Sequence, residues 1–266
     1  MSRTAALRAT RVRASALCLA LGLLGCGDSA NSAASATASA KPTAKPAPLP
    51  TPAASTAEPK PKKPPRDCGK ETVATFEDPH LEKMVRVQLS KPEGPIQLTE
   101  LAKVKTLNLT ESKMGDSLDP CIFPHLKGLK GLYLPPGELD DITLLGNLGN
   151  LESLRISITK VKDLTPLKSL SKLDRLDAGR TLVRDLTPLA ELKNLTELQL
   201  DETEVSDLTP ISGLTKLTFL SIKKTGVKDL SPLAGMRDLA KLQIEGSSVT
   251  DTSPVRSLPK LKIDGR

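Results

Sequence analysis

The sequence predicts an α/β solenoid in which each coil supplies one short parallel strand and one convex turn or 3-10 helix, closed at its amino-terminal end by a helical cap. Three observations lead there. The stretch Val161-Lys162-Asp163-Leu164-Thr165-Pro166-Leu167 returns at Val183, Val205, Val227 and Val249, so Asp163, Asp185, Asp207, Asp229 and Asp251 stand 22 residues apart, and a fixed period of that size marks a stacked array. Paired apolar residues keep the same phase, from Leu132/Leu134 through Leu154/Ile156 to Leu242/Ile244. Aromatic residues are only 2% of the chain, so leucine has to fill the core.

Taken in order, residues 1–26 carry Arg3, Arg8, Arg11 and Arg13, then an apolar run from Ala14 to Leu24, then Gly25-Cys26. The run is too short to span a hydrocarbon core of about 30 Å as a helix, and it reads as the apolar region of a signal peptide. Its ending, Leu23-Leu24-Gly25-Cys26, resembles the bacterial lipoprotein lipobox. That resemblance implies diacylglycerol attachment to the Cys26 thiol, cleavage after Gly25 and acylation of the new amino terminus. Gly27 rather than an acid follows the cysteine, which by the same resemblance favours the outer membrane. Residues 27–66 consist largely of Ala, Ser, Thr, Pro and Lys with little to bury, the composition of a disordered tether. Such a tether has a reach of about 35 Å if flexible.

The net charge of +7 raises a nucleic-acid reading, but its distribution argues against one. Residues 1–26 contribute +4 and residues 27–66 another +4, which leaves −1 for residues 67–266. Phosphate binding needs clustered Lys and Arg that release counterions, and the surplus lies in the leader and the tether.

Residues 67–96 form the expected cap. Leu81, Met84, Val85 and Leu89 have helical spacing, Pro79 suits the first helical turn and Asp78 its N-cap. A short helix here would cover the apolar layer that a first repeat leaves open. The segment Lys91-Pro92-Glu93-Gly94-Pro95 turns the chain into the array, which occupies 97–266. Seven strands are expected there, centred on Leu107, Leu132, Leu154, Leu176, Leu198, Leu220 and Leu242. The first step is 25 residues rather than 22, which places a three-residue insertion near Met114 to Asp119.

Leu192, Leu195 and Leu198, the strand pair after them, the hydroxyl residue Thr203, then Asp207-Leu208-Thr209-Pro210 resemble the leucine-rich repeat, most closely its 22-residue bacterial internalin form. Over residues 97–263 the resemblance implies the solenoid fold and a role in adhesion or surface recognition of a protein. One departure is systematic: Thr159, Thr181, Thr203, Thr225 and Ser247 stand where that family has Asn. An amide can bond adjacent coils and a hydroxyl offers one donor, so the ladder is expected to survive with fewer bonds. Thr165 and its equivalents are expected to cap the convex turn, with Pro166 setting its first φ and Asp163 accepting turn N–H groups.

Of the four cysteines, Cys18 leaves with the signal and Cys26 is the lipid site. Cys68 and Cys121 remain, and outside the cytoplasm they are expected to pair and staple cap to array. Catalysis is not expected. The two histidines, His80 and His125, neighbour no obvious nucleophile, no phosphate-binding glycine loop opens a helix, and nothing clusters as a metal site. The aspartate column lacks the second oxygen ligand calcium would need. No cofactor, small-molecule substrate or nucleic acid is implied.

What is left is surface. On the concave sheet the residues flanking the inward leucines include Tyr133, Arg155, Arg175, Asp177, Glu197, Gln199, Phe219, Lys223 and Lys241. Exposed aromatics and arginines are common interface anchors, so these nine are the candidate partner-binding residues. The expected function is a non-catalytic protein-binding module, lipid-anchored in the cell envelope. Alternatives are a periplasmic structural or assembly factor that binds through an uncapped carboxy-terminal end, and a glycan-binding module. The separation of Tyr133 from Phe219 weighs against the last.

Overall fold

The computed structural model describes residues 66–69, 71–113 and 115–265. The signal peptide, Cys26, most of the tether and Met114 lie outside the described residues.

The cap begins with an extended segment whose Val73 bridges Gln97 in antiparallel fashion. Helix α1 follows, Pro79–Leu89, because Asp78 is extended and its carboxylate accepts the His80 N–H at 2.8 Å, while Pro79 supplies a helical φ at the first position. Ser90 ends the helix in the left-handed region. Leu81 and Val85 are buried, and Met84 and Leu89 pack half-buried against the same core. The helix thereby covers the open apolar end of the array.

Eight three-residue strands form one parallel sheet in sequence order: β1 Thr106–Asn108, β2 Gly131–Tyr133, β3 Ser153–Arg155, β4 Arg175–Asp177, β5 Glu197–Gln199, β6 Phe219–Ser221, β7 Lys241–Gln243 and β8 Lys262–Asp264. The middle residue of each aligns with the next, Leu107 with Leu132, Leu154, Leu176, Leu198, Leu220, Leu242 and Ile263. Strand side chains alternate between faces, so these central residues face the core and their neighbours the solvent. A 3-10 turn precedes each strand, for example Thr165–Ser169 before β4 and Thr187–Leu189 before β5.

Three expectations need correction. There are eight strands and not seven. The step from Leu242 to Ile263 is 21 residues and only one apolar residue marks the last strand, so the period misses it. The convex turns are not capped by Thr165 and its equivalents. Thr165 is the first residue of its turn and Leu164 stands at the N-cap with no side-chain bond, while Asp163, one residue further out, accepts the Thr165 N–H on its Oδ1 at 2.8 Å, as expected of it. Asp185, Asp207, Asp229 and Asp251 repeat this bond at 2.8 Å. The column also extends further back than its motif: Asp141 accepts from Thr143 and Asp119 from the Cys121 N–H, although no Thr-Pro follows either.

The third correction concerns the hydroxyl residues. Thr159, Thr181, Thr203 and Thr225 are buried, and each donates to the carbonyl three residues earlier, within its own coil, at 2.6–2.7 Å. The side chain therefore closes the turn that follows the strand. Beside these residues the coils are joined by the main chain, as when Ile156 N–H donates to Asp177 O and Ala178 N–H to Gln199 O. Ser247 is only half-buried, and here the internal column ends.

Candidate functional site

The exposed sheet face is assembled by the strand register. The residues ahead of the inward leucines run Thr106, Gly131, Ser153, Arg175, Glu197, Phe219, Lys241 and Lys262, and those after them Asn108, Tyr133, Arg155, Asp177, Gln199, Ser221, Gln243 and Asp264. Eight of the nine candidate residues belong to these two rows; Lys223 stands two residues beyond Ser221, at the strand exit.

Arg155, Arg175 and Lys241 are exposed, while Tyr133, Asp177, Glu197, Gln199, Phe219 and Lys223 are half-buried. Tyr133 is held locally. Its ring lies over Gly131, where an added Cβ would meet it at 3.6 Å, an ordinary contact distance. Its hydroxyl reaches Ser153 Oγ at 3.4 Å. Phe219 is covered on one side by the Lys241 ammonium, 5.8 Å from the ring centre.

Most cations on this face meet an acid on the neighbouring strand. Arg155 Nε lies 3.2 Å from Asp177 Oδ2 and donates to Ser157 Oγ; Arg175 Nε lies 3.5 Å from Glu197 Oε1, and Lys241 Nζ 3.3 Å from Asp264 Oδ2. Hydrogen bonding from Lys241 and Gln243 holds the Asp264 carboxyl below its ordinary value. At the strand exits Glu202 is likewise lowered, by Lys224 first and Arg180 after it. Ser221 is buried although its place in the row suggests exposure. Its hydroxyl binds Asp201 Oδ1 and Gln243 Oε1, and Asp201 also accepts the Lys223 N–H.

The reading from sequence passed over one residue beside this face. Ile158 is 41% exposed and sits at φ 62°, as do Arg180, Glu202, Lys224 and Gly246 at φ 52–68° in the next four coils. The fold demands a left-handed residue there, and a β-branched side chain is the least suited to it. The signal was available in the sequence, since Gly246 falls at the same place in the period.

Cys68 and Cys121 are joined, with Cα atoms 5.2 Å apart. Beside them Arg66, placed by its composition in the tether, pairs with Asp119 at 2.8 Å and Glu77 at 3.8 Å, and donates to Thr75. His80 Nε2 lies 3.2 Å from the Asn108 carbonyl oxygen. One depression of about 600 Å³ runs along α1 and another of about 260 Å³ lies beside the disulfide and His125. Among the described residues no group of three or more His, Cys, Asp or Glu could hold a metal ion, and no helix is long and apolar enough to cross a membrane.

No family profile and no curated protein matches the chain. Solved structures do. The chain is similar to an internalin (inlF) from Listeria monocytogenes, at 30% identity and TM-score 0.64 over 71% of this chain and 55% of that one. It is similar also to internalin C2 from the same species, at 25% identity and TM-score 0.59 over 72% of this chain and 94% of that one. A leucine-rich repeat protein from Leptospira interrogans shares the fold, at 22% identity and TM-score 0.57 over 62% of this chain and 43% of that one. The chain thus spans about half the length of the first of these. With eight parallel strands in register and a 3-10 turn before each, the chain is a leucine-rich repeat solenoid similar to bacterial internalins.

Proposed function

We propose that the chain is a non-catalytic recognition module that binds a protein through its exposed sheet face and is held in the bacterial envelope by lipid on Cys26. The observation that carries the first part is the face itself. Eight strands spaced by about 4.8 Å make a strip of about 35 Å, fixed by main-chain bonds from coil to coil. On it Tyr133 remains half-exposed beside Arg155, which Asp177 orients, and Phe219 beside Lys241, which Asp264 orients. Pre-ordered aromatics and arginines lose little freedom on binding and suit an interface core. The lipid part is supported by Leu23-Leu24-Gly25-Cys26 and by the Ala/Pro/Lys-rich stretch after it. Several acyl chains would make an anchor that hardly dissociates, and the outer membrane is the favoured site.

The test is proximity labelling from the chain in its own cells, with a Tyr133→Ala, Arg155→Ala, Phe219→Ala variant as control. One protein enriched by the native chain and lost with the variant supports recognition through the sheet face. Enrichment that the variant keeps refutes it. A second reading rests on the last coil, where Leu261 and Ile263 are only half-buried against the core: another chain covers this end and the protein serves assembly. Light scattering distinguishes it, since a mass that rises with concentration and falls when Ile263 is replaced by Lys favours the end over the face.

A further inference from the structure

The near-neutral charge of residues 67–266 conceals a segregation that the repeat register brings out. Two positions of every unit lie between the convex turn and the strand, from residues 127–128 to residues 259–260. They carry Lys127, Lys172, Lys193, Lys216, Arg237 and Lys260, all exposed, against one acid, Asp238. Bonds between coils hold the row in line. Asn150 Nδ2 donates to the Lys127 carbonyl and Asn194 Nδ2 to the Ser171 carbonyl, both at 2.8 Å. The amide oxygens then take the ammonium groups, Lys172 on Asn150 at 2.7 Å and Lys216 on Asn194 at 2.8 Å, while Lys260 binds Asp238 at 2.8 Å.

The chemistry of these partners matters more than their number. On the sheet face Arg155 and Arg175, at the strand exit Arg180, and ahead of the convex turn Arg184 each meet a carboxylate, and their charge is compensated. Lys172 and Lys216 are ordered by neutral amides, so the charge stays whole, and an ammonium has three donors of which the amide uses one. Seven coils at about 4.8 Å give a row of about 30 Å. No aromatic interrupts it, which leaves no stacking platform for a single-stranded nucleic acid. A regularly spaced, exposed row of point charges without aromatic wedges complements a surface of anionic groups.

We propose that this row seats the repeat domain on the anionic phospholipid headgroups of a bilayer. The inference deepens the reading of the chain as membrane-tethered and rests on it for the bilayer being at hand. A tether alone fixes only distance from the membrane; the row fixes which flank faces the lipid and leaves the sheet face to one side, open to a protein. Each lysine near an anionic surface contributes a factor of about five in partitioning.

The test uses the full chain carrying Cys26→Ser, so that acylation plays no part, co-sedimented with vesicles of phosphatidylcholine alone and of equal parts phosphatidylcholine and phosphatidylglycerol. The native row is compared with Lys127→Gln, Lys172→Gln, Lys193→Gln, Lys216→Gln, and with a variant of equal charge change, Arg155→Gln, Arg175→Gln, Arg180→Gln, Arg184→Gln. Circular dichroism establishes that each remains folded. The expected result is that the gain from phosphatidylglycerol falls at least tenfold in the lysine variant and much less in the arginine variant. Equal losses in both, or no loss in either, overturn the proposal. So does a native chain that gains nothing from phosphatidylglycerol yet is retained by soluble polyphosphate, because the occupant is then a free polyanion. Mass spectrometry of the chain recovered from bacterial membranes tests the lipid on Cys26 separately, so the two readings fail independently.

Discussion

Replacing Cys68 and Cys121 together by Ser should destabilise the domain more than any single surface change. The bridge spans 53 residues of sequence and joins the segment before α1 to the convex turn of the second coil. In the chain-entropy account, opening a loop of that length returns about 4 kcal/mol of conformational freedom to the unfolded chain. Domains of this size are stable by roughly 5–15 kcal/mol, so the change removes a large share. It corresponds to a fall of about 10 °C in Tm at some 2–4 °C per kcal/mol. The native contacts that remain are Arg66 with Asp119 and Glu77, the Val73–Gln97 bridge and the burial of Leu81, Val85 and Ile96. They should keep the cap docked at room temperature but let it fray first on heating. Urea unfolding followed by circular dichroism, with the single Tyr133 as a fluorescence probe in the second strand, measures both. A double variant within about 1 kcal/mol of the native chain would refute the stapling argument, as would a native chain whose stability is unchanged by reductant.

Three smaller changes probe the repeat itself. Thr203→Val removes the buried bond to Leu200 O and should cost about 1–2 kcal/mol by thermal unfolding, whereas Thr203→Ser keeps the donor; equal effects would show that the hydroxyl is idle. Ile158→Asn should raise stability by about 1 kcal/mol, since Asn tolerates the φ of 62° that Ile158 holds, and a loss on calorimetry would show that Ile158 has packing worth more than its strain. The carboxyls of Asp185, Asp207 and Asp229 are lowered by the hydroxyls of Thr187, Thr209 and Ser231 first and by their N–H groups second. Their stabilisation is complete above an unfolded value of about pH 4 and is lost as pH falls through the lower folded values. Tm should hold steady between neutrality and about pH 4 and drop below it; a Tm that climbs on acidification would contradict this.

Much of the architecture was legible because it repeats. Leucines at a fixed phase admit one stacking, and an N-cap aspartate followed by proline announces α1 without any partner in view. Legibility ended where the period broke. Ile263 comes one residue early, and the aspartates at 119 and 141 lack the proline that made the others visible. Asp163 was readable as an acceptor of turn N–H groups, but Thr165 was not readable as the first residue of the turn, because only backbone geometry puts Leu164 at the N-cap. The face was readable as rows of outward positions, but the depth of each side chain was not. Tyr133 packs its ring over Gly131 and reaches Ser153, and the Ser221 hydroxyl is taken up by Asp201 and Gln243. Net charge was the weakest guide of all, since a sum over the folded region cancels the lysine row against the aspartate column.

The central claim, recognition through the sheet face, is tested most directly by photo-crosslinking in living cells from single sites. A photoreactive residue is placed in turn at Tyr133, Gln199 and Phe219 on the face, and at Lys168 and Arg256 on the convex turns. The account predicts that the face positions capture the same protein and the convex positions do not. Capture of that protein from Lys168 or Arg256, with none from Tyr133, Gln199 or Phe219, would contradict it.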